Sequence, residues 1–267
     1  MELGDQKRAD ISILFVDIRS FTTLSETMSP QDNFDFINSY FSKISPVIRR
    51  NAGFVDKFIG DAIMSLFPNK PEDAINAAIE ILIVLKEFNK IRTGRNQIPI
   101  HVGMGLNTGT VMLGTIGEQE RMETTVISDS VNLAARLETM AKLYDIQIIT
   151  TLATIERLHP PLNFSYRVLH KGRVKGRNEA VTLIEIFNED IDPDYLNKLK
   201  IKTDYEKAML LYQQGDMARS LRLFISVSEI LPNDKATKNY IHQCRKYLKD
   251  GLPLNWDGIE SFDLISD

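Results

Sequence analysis

A mostly apolar run near the N-terminus, residues 11–16, ends directly at an acid, Asp17. A run of this length bounded by polar residues predicts a buried strand, so the acid at its C-terminal end lies at an edge of the core. A second acid, Asp61, follows Gly60 between two short apolar runs, which predicts the tip of a β-hairpin. Carboxylates on neighbouring strand ends can hold hard cations that organise phosphoryl or nucleotidyl transfer. Such acids can equally be solvated turn residues, and the surrounding sequence decides between the two interpretations.

Three separated segments favour the metal interpretation: residues 15–22, 56–61 and 131–136, which read FVDIRSFT, DKFIGD and VNLAAR. In order and spacing they resemble the class III nucleotide cyclases, and the resemblance covers about residues 8–188. It implies an α/β protein, an α+β sandwich with a ferredoxin-like βαββαβ core. It also implies a phosphorus–oxygen lyase of signal transduction, which forms a 3′,5′-cyclic nucleotide and pyrophosphate from a nucleoside triphosphate.

Composition is that of an ordinary globular protein, with 43% apolar and 25% charged residues in a chain of 267. The net charge of −4 gives no reason to expect a nucleic-acid partner, which would require a basic face. The single cysteine, Cys244, cannot form an internal disulfide, which fits a reducing, cytoplasmic compartment. No stretch predicts a membrane span or a signal peptide. Members of the resembled family commonly carry sensor or membrane segments ahead of the catalytic domain, so the chain is compatible with being the catalytic part of a larger, membrane-attached protein.

Local patterns predict an alternation of helices and strands. Pro30 suits a helix start, and apolar residues at helical spacing follow it over residues 34–48. The Asn-Thr-Gly triplet at 107–109 is a turn signal, so residues 98–116 are expected to form two strands. Residues 114–122 are polar and resemble the protruding dimerisation arm of the family. Further predicted elements are helices at 21–26, 31–50, 71–90 and 129–142, and strands at 124–128, 146–150, 164–171 and 180–187.

An acidic, proline-containing stretch at residues 190–194 predicts the end of the catalytic domain, which is assigned to residues 1–189. Few core contacts are expected to cross this break. The remaining chain is divided into a linker at 190–202, a helical extension at 203–250 and a C-terminal docking segment at 251–267.

The helical extension resembles one tetratricopeptide repeat. Ser220 stands where the repeat prefers alanine, and one repeat cannot bury its own apolar face. The tail is therefore expected to pack on the catalytic domain, on a second copy of the chain or on a protein partner. The residues at repeat spacing are Ala208, Gly215, Phe224 and Pro232.

The resemblance assigns the metal site to Asp17, Asp61 and the backbone carbonyl of Ile18, which would bind two Mg²⁺ or Mn²⁺ ions. One ion would lower the pKa of the ribose 3′-hydroxyl, and the other would neutralise the β- and γ-phosphates. Just after Asp17 the chain is expected to turn into a helix at Phe21 and Thr22. The free backbone amides of that turn suit the triphosphate of ATP.

Asn132 and Arg136 lie four residues apart in a predicted helix and therefore share one face. By resemblance, Arg136 stabilises charge that develops on the α-phosphate, and Asn132 orients the ribose. A planar, permanently charged guanidinium suits that task better than a lysine. Lys175 matches a family lysine that contacts the terminal phosphates. Three basic neighbours compete with it for that role: Lys171, Arg173 and Arg177.

Two positions predict which base is bound. Lys57 stands where adenylate cyclases of the family carry lysine and guanylate cyclases carry glutamate, and a lysine can donate to N1 of adenine. Thr125 falls where many members have aspartate and a bacterial subgroup has threonine, whose hydroxyl can accept from the adenine amino group. Together these positions favour ATP over GTP, and Lys57 disfavours the alternative of a guanylate cyclase.

The expected assembly also follows from the resemblance. In the family, the metal-binding acids and the base- and ribose-binding residues of one site come from opposite protomers. This chain carries both sets, which predicts a homodimer with two composite sites related by a twofold axis. The alternative from another class is a non-catalytic signalling module whose tail recruits a partner. The intact acids, together with Asn132 and Arg136, argue against that alternative.

Overall fold

The computed structural model describes residues 6–118, 121–173 and 179–261, with the backbone alone at 116–118, 121–125 and 260–261. The order of its first elements, β1 to β4, contains the expected ferredoxin-like βαββαβ unit, with one additional short helix after β1. The elements are β1 (Gln6–Ile18), α1 (Phe21–Ser25), α2 (Pro30–Arg50), β2 (Phe54–Ile59), β3 (Ala62–Phe67), α3 (Pro71–Gly94), β4 (Val102–Glu118), β5 (Arg121–Ile127), α4 (Asp129–Tyr144), β6 (Ile148–Thr151), α5 (Leu152–Ile155), β7 (Ser165–Arg173), β8 (Ala180–Phe187), α6 (Tyr195–Gln213), α7 (Met217–Ile230), α8 (Lys235–Asp250) and β9 (Glu260–Ser261).

The chain forms two compact units. The first comprises residues 1–142 and 146–161, and it contains β1 to β6 with helices α1 to α5. The second comprises residues 143–145 and 162–267, and it contains β7 to β9 with helices α6 to α8.

Strand β1 is central in the first unit. It pairs antiparallel with β3 on one side and with β4 on the other, in the strand order β2-β3-β1-β4-β6, and β5 also pairs with β4. Residues 11–16 are buried on both faces, which explains why this strand is a continuous apolar run and not an alternating one. Ile11, Ile13 and Phe15 share one hydrophobic cluster with Ala134 of α4. The predicted buried strand is therefore confirmed.

The prediction of two strands around the Asn-Thr-Gly triplet is wrong, because β4 runs as one strand, Val102–Glu118. Partners from other elements accommodate the turn-like triplet inside the strand. The Asn107 side-chain amide donates to the Ser130 carbonyl and accepts from the Thr151 hydroxyl. A Cβ atom at Gly109 would lie 2.3 Å from Ser130 Oγ, so this glycine permits the close approach of α4.

The predicted hairpin is formed by β2 and β3, which pair antiparallel up to Ile59 opposite Ala62. Gly60 has a φ of +64°, in the left-handed region that glycine adopts without a steric penalty. The turn therefore holds Asp61 at the hairpin tip, as the sequence predicts.

The expectation that few core contacts cross residues 190–194 is wrong. In the second unit, the buried Arg167 of β7 donates to Glu185 of β8 at 2.5 Å and to Asp234, the residue before α8, at 2.6 Å. Lys198 of α6 donates to the other oxygen of Glu185 at 2.5 Å. This ionic network is almost fully buried, and it joins the β7–β8 hairpin to the helices that follow the break.

Two features of the tail refine the predicted boundaries. Helix α6 begins at Tyr195, so the second half of the predicted linker, 190–202, is helical. Part of the predicted docking segment contacts the end of α6, because Trp256 Nε1 donates to the Gln213 carbonyl at 3.1 Å and a Cβ atom on Gly258 would lie 2.5 Å from that carbonyl oxygen. The domain limits and the tetratricopeptide assignment remain predictions. Among the described residues, no helix is both long enough and apolar enough to cross a membrane.

Candidate active site

The structure brings the two acids of the sequence motifs together. Asp17 is the penultimate residue of β1, and Asp61 lies in the turn between β2 and β3. Their carboxyl groups share a hydrogen bond, and the Ile18 backbone N–H donates to Asp61 Oδ2 at 3.3 Å. Both acids are half-buried, so the pair lies at the edge of the core where a ligand from solvent can reach it.

The Asp61 carboxyl group disfavours ionisation of Asp17. The pKa of Asp17 is raised to about 7, first by burial, then by the hydrogen bond to Asp61 and its negative charge, and then by the charge of Glu138. A hydrogen bond from the backbone of Ile18 opposes this shift. Neighbouring carboxylates of this kind are stabilised in their charged form by a bound cation. The site therefore has the electrostatic character of a divalent-metal site.

Sequence reasoning did not identify Tyr40 of α2 as a neighbour of the acids. Tyr40 is fully buried, and its hydroxyl has no hydrogen-bond partner among the described residues. Burial raises its pKa above the usual range, and the charges of Asp17 and Asp61 add to this effect. In the sequence Tyr40 belongs to the apolar stripe of a helix, and no local pattern indicates that this stripe faces the acids.

Arg19 connects the acid end of β1 to helix α4. Its backbone N–H donates to the His101 carbonyl at 2.8 Å. Its guanidinium donates to the backbone carbonyls of Ala141 at 2.7 Å, Lys142 at 3.2 Å and Ile146. The last carbonyls of a helix lack partners within the helix, so a cation at this end is stabilising. Arg19 therefore caps α4 while it holds the chain directly after Asp17.

Helix α4 carries Asn132 and Arg136 one turn apart on an exposed face, as the sequence predicts. Its backbone lies so close to β4 that a Cβ atom at Gly105 would be 2.1 Å from the Glu138 nitrogen. The hydrogen bonds described above join the two acids to each other and to the Ile18 backbone, whereas Asn132 and Arg136 are exposed on α4.

The other candidate residues near the acids have defined local surroundings. Phe21 and Thr22 form the first turn of α1, where the Phe21 ring stacks on Phe36 with 6.2 Å between centroids and Thr22 is exposed. Lys57 lies in β2, and its Nζ is 3.5 Å from Asp56 Oδ2. Phe21 therefore contributes to packing in addition to any contact with substrate.

Two candidate residues lie in less fully described parts of the chain. Thr125 belongs to β5, where the structure describes the backbone but not the side chain. Lys175 lies outside the described residues. Of its competitors, Lys171 is exposed in β7, and Arg173 forms an ion pair with Asp257 at 2.5 Å.

The chain matches the family model of the adenylate and guanylate cyclase catalytic domain over residues 3–185. A terminal-differentiation-specific adenylate cyclase of Dictyostelium discoideum is 38% identical over 253 residues, which cover 92% of this chain and 12% of that protein. An adenylate cyclase of Anabaena cylindrica is 40% identical over 192 residues, which cover 70% of this chain and 38% of that protein. The chain thus spans less than half the length of either relative.

Solved structures of cyclases share the fold. The adenylyl cyclase CyaB from P. aeruginosa has a TM-score of 0.60 at 27% identity, over 70% of this chain and 100% of that one. The guanylyl cyclase Cya2 has a TM-score of 0.60 at 30% identity, over 71% of this chain and 96% of that one. An adenylyl and a guanylyl cyclase match equally well, so the fold alone does not identify the base. The motifs, the acid pair and these similarities together establish that the chain belongs to the family of adenylate and guanylate cyclase catalytic domains.

Proposed function

We propose that this chain is the catalytic part of an adenylate cyclase, which converts ATP to 3′,5′-cyclic AMP and pyrophosphate in signal transduction. The observation that carries the proposal is the pair of half-buried carboxyl groups, Asp17 and Asp61, in a chain of the cyclase family. The similarity to adenylate cyclases at 38% and 40% identity supports ATP as the substrate.

The acid pair fits a divalent metal, which domains of this family use. Mg²⁺ is bound in proteins through one or two carboxylates together with substrate phosphates and water. In the described part of the chain, no group of three or more His, Cys, Asp or Glu side chains is placed to hold a metal ion, so ATP and water would complete the coordination. We assign two Mg²⁺ or Mn²⁺ ions to Asp17, Asp61 and the Ile18 carbonyl. When bound, they would activate the ribose 3′-hydroxyl and offset the phosphate charge.

The residues of α4 act on the reacting end of ATP. The Arg136 guanidinium donates to the α-phosphate oxygens, where negative charge develops as the 3′-oxygen attacks. The Asn132 amide binds the ribose and holds that oxygen in line with the α-phosphorus. Phe21, Thr22 and Lys175 are assigned to the phosphates that leave as pyrophosphate.

Lys57 is assigned to the base. Its ammonium is restrained by the contact with Asp56 Oδ2 at 3.5 Å, and it donates to N1 of adenine. Guanine carries a hydrogen on N1, so its N1–H would face the N–H groups of Lys57, donor against donor. This mismatch disfavours GTP. The Thr125 hydroxyl accepts from the adenine amino group. GTP is nevertheless the second candidate substrate, because the guanylyl cyclase Cya2 matches this chain as well as CyaB does.

Domains of this family act as dimers on ATP or GTP. We assign this chain to a homodimer with two composite sites, each built from Asp17 and Asp61 of one protomer and the base- and ribose-binding residues of its partner. The exposed position of Asn132 and Arg136 supports this assignment, because a second copy of the chain can approach that face of α4. A monomer would be inactive.

The proposal also covers the segments on either side of the catalytic domain. The relatives are much longer than this chain, which supports an upstream sensor or membrane segment in a longer protein with its cyclase domain in the cytoplasm. The alignment with the Dictyostelium discoideum relative covers 92% of the chain, so it includes most of the helical tail. We assign the tail to support of the β7–β8 hairpin, with recruitment of a protein partner as the alternative.

The first prediction concerns stability without metal. Because the folded-state pKa of Asp17 is about 7, above its ordinary value, folding takes up a proton between those two pH values and stability falls as pH rises through that window. Asp17→Asn should therefore raise the melting temperature at pH 8 in chelator, with a smaller difference near pH 4. Manganese should stabilise the parent chain but not this variant. The exposed Asp250→Asn is the matched control and should leave the melting temperature unchanged. Equal melting temperatures of Asp17→Asn and the parent chain at pH 8 would show that the Asp17 charge does not destabilise the fold.

The second prediction is the activity itself. The purified chain with Mn²⁺ should convert ATP to 3′,5′-cyclic AMP and pyrophosphate, and GTP more slowly. Asp61→Ala should lower turnover by at least about a hundredfold, because bound metal contributes several kcal/mol to stabilising the transition state. Asp250→Ala should leave turnover unchanged. A folded dimer without turnover would favour the non-catalytic signalling module, and faster turnover of GTP would favour a guanylate cyclase.

The third prediction tests the composite site. Asp61→Ala and Arg136→Ala chains should each be inactive, but a heterodimer of the two has one site with all of its residues intact. Mixing them should restore activity in proportion to subunit exchange, up to about a quarter of the parent rate if exchange is complete and sites act independently. Mixing two preparations of the same variant is the control. Absence of recovery, while labelled subunits demonstrably exchange, would refute the shared geometry.

A further inference from the structure

A pocket of about 510 Å³ lies in the first unit between the start of α2, the end of α3 and the residues that follow α3. None of the residues assigned above to metal, ribose, base or phosphates lines it. Its volume is in the range of small-molecule sites in proteins. Its apolar walls are formed by Leu24, Phe36, Phe88 and Ile91.

A buried cation forms part of the wall of this pocket. Arg92 is only 7% exposed, and its Nε donates to the Ile98 carbonyl at 2.8 Å. Its guanidinium carbon lies 4.8 Å from the centre of the Phe36 ring and 5.8 Å from that of Phe88. Among the described residues, its two Nη atoms have no hydrogen-bond acceptor and no ion-pair partner. A buried charge normally has a counter-ion, and none is present at these Nη atoms, which are not among the fully buried unpaired atoms of the described residues and therefore open into the pocket.

The acids of the pocket do not supply that counter-ion. Asp32 and Asp35 lie on α2 and contact their own helix, Asp32 through Ser29 and Asp35 through Gln31. Neither forms an ion pair with Arg92. Arg95 also lines the pocket, so two acids and two arginines leave its walls without net charge, which favours a ligand with a single anionic group over a highly charged one such as a nucleotide.

We propose that this pocket binds a small organic carboxylate. The planar guanidinium of Arg92 matches a carboxylate through two parallel N–H···O bonds from its Nη atoms. The apolar body of the ligand packs against Phe88 and Ile91. The carboxylate is then the counter-ion that the protein itself does not provide.

Occupancy of the pocket bears on the active site through α1. Leu24 of α1 and Met28 of the following turn both line the pocket, and α1 begins three residues after Ile18. A ligand that packs against Leu24 restrains the helix that carries Phe21 and Thr22. This regulatory step rests on the proposed cyclase function, whereas the binding step does not.

Calorimetric titration of the full chain tests the binding step. The probes are benzoate, phenylacetate and hexanoate, each compared with its neutral amide, and inorganic phosphate. At least one acid should bind with a stoichiometry of one per chain and at least about tenfold more tightly than its amide, because the charge-assisted bonds are lost in the amide. Phosphate should bind more weakly than that acid. If no acid binds better than its amide, the proposal is wrong.

Two substitutions locate the bound probe. Arg92→Gln should raise the dissociation constant of the acid at least about tenfold, toward that of the amide. Because Arg92 also holds the Ile98 carbonyl, Ile91→Glu provides a second test at a position that is 52% exposed. It should weaken binding of the acid more than binding of the amide, because both lose the apolar contact with Ile91 and only the acid is repelled by the new charge. Ile83→Glu, on the same helix and outside the pocket, is the matched control, and equal effects of both glutamates would overturn the assignment.

Turnover of ATP tests the coupling separately. Saturating acid should change the rate of the parent chain, and this change should be absent in Ile91→Glu at the same acid concentration. Binding with an unchanged rate would refute the coupling through α1. If the chain proves to have no cyclase activity, the calorimetric comparison still decides whether the pocket binds carboxylates.

Discussion

The close approach of Asp17 and Asp61 is the constraint on which the active site depends. The fold brings them together because β1 pairs with β3 of the β2–β3 hairpin. The end of β1 that carries Asp17 therefore lies beside the hairpin turn that carries Asp61. Burial and mutual repulsion raise the pKa of Asp17 to about 7, so the core holds two acids in an arrangement that is unfavourable without a cation. This cost is typical of a functional site, where local stability is given up for binding.

Helix α4 contacts the segment that carries Asp17 and also carries the residues assigned to the ribose and the α-phosphate. Its last turn is capped by Arg19, two residues after Asp17, and its exposed face carries Asn132 and Arg136. In the proposed homodimer, α4 of one protomer serves the partner's site while its end holds the acids of its own site. Each copy of α4 would then connect the acid pair of its own protomer to the site of the partner.

Much of this could be predicted from the sequence, because the signals are local. Each pattern defines one element: the buried run that ends in an acid is β1, the glycine marks the β2–β3 turn, and the spacing of four residues marks α4. The failures are non-local: the triplet in β4 mimics a turn, yet Ser130 and Thr151 satisfy Asn107 inside a strand. From the sequence, Arg167 likewise looks like an exposed strand residue. In the structure it is buried because Asp234 of the tail accepts its hydrogen bond. Tyr40 shows the same limit, since only packing reveals its position near the acids.

The central claim is that the acid pair holds the metal ions that ATP cyclisation requires. Equilibrium dialysis with Mn²⁺ and 3′-deoxy-ATP, which lacks the attacking hydroxyl, measures this without turnover. With metal bound to free nucleotide subtracted, two-metal catalysis predicts about two Mn²⁺ ions retained per chain in the parent and fewer in Asp61→Ala. Equal metal retention by the parent and by a folded, nucleotide-binding Asp61→Ala chain would contradict the account.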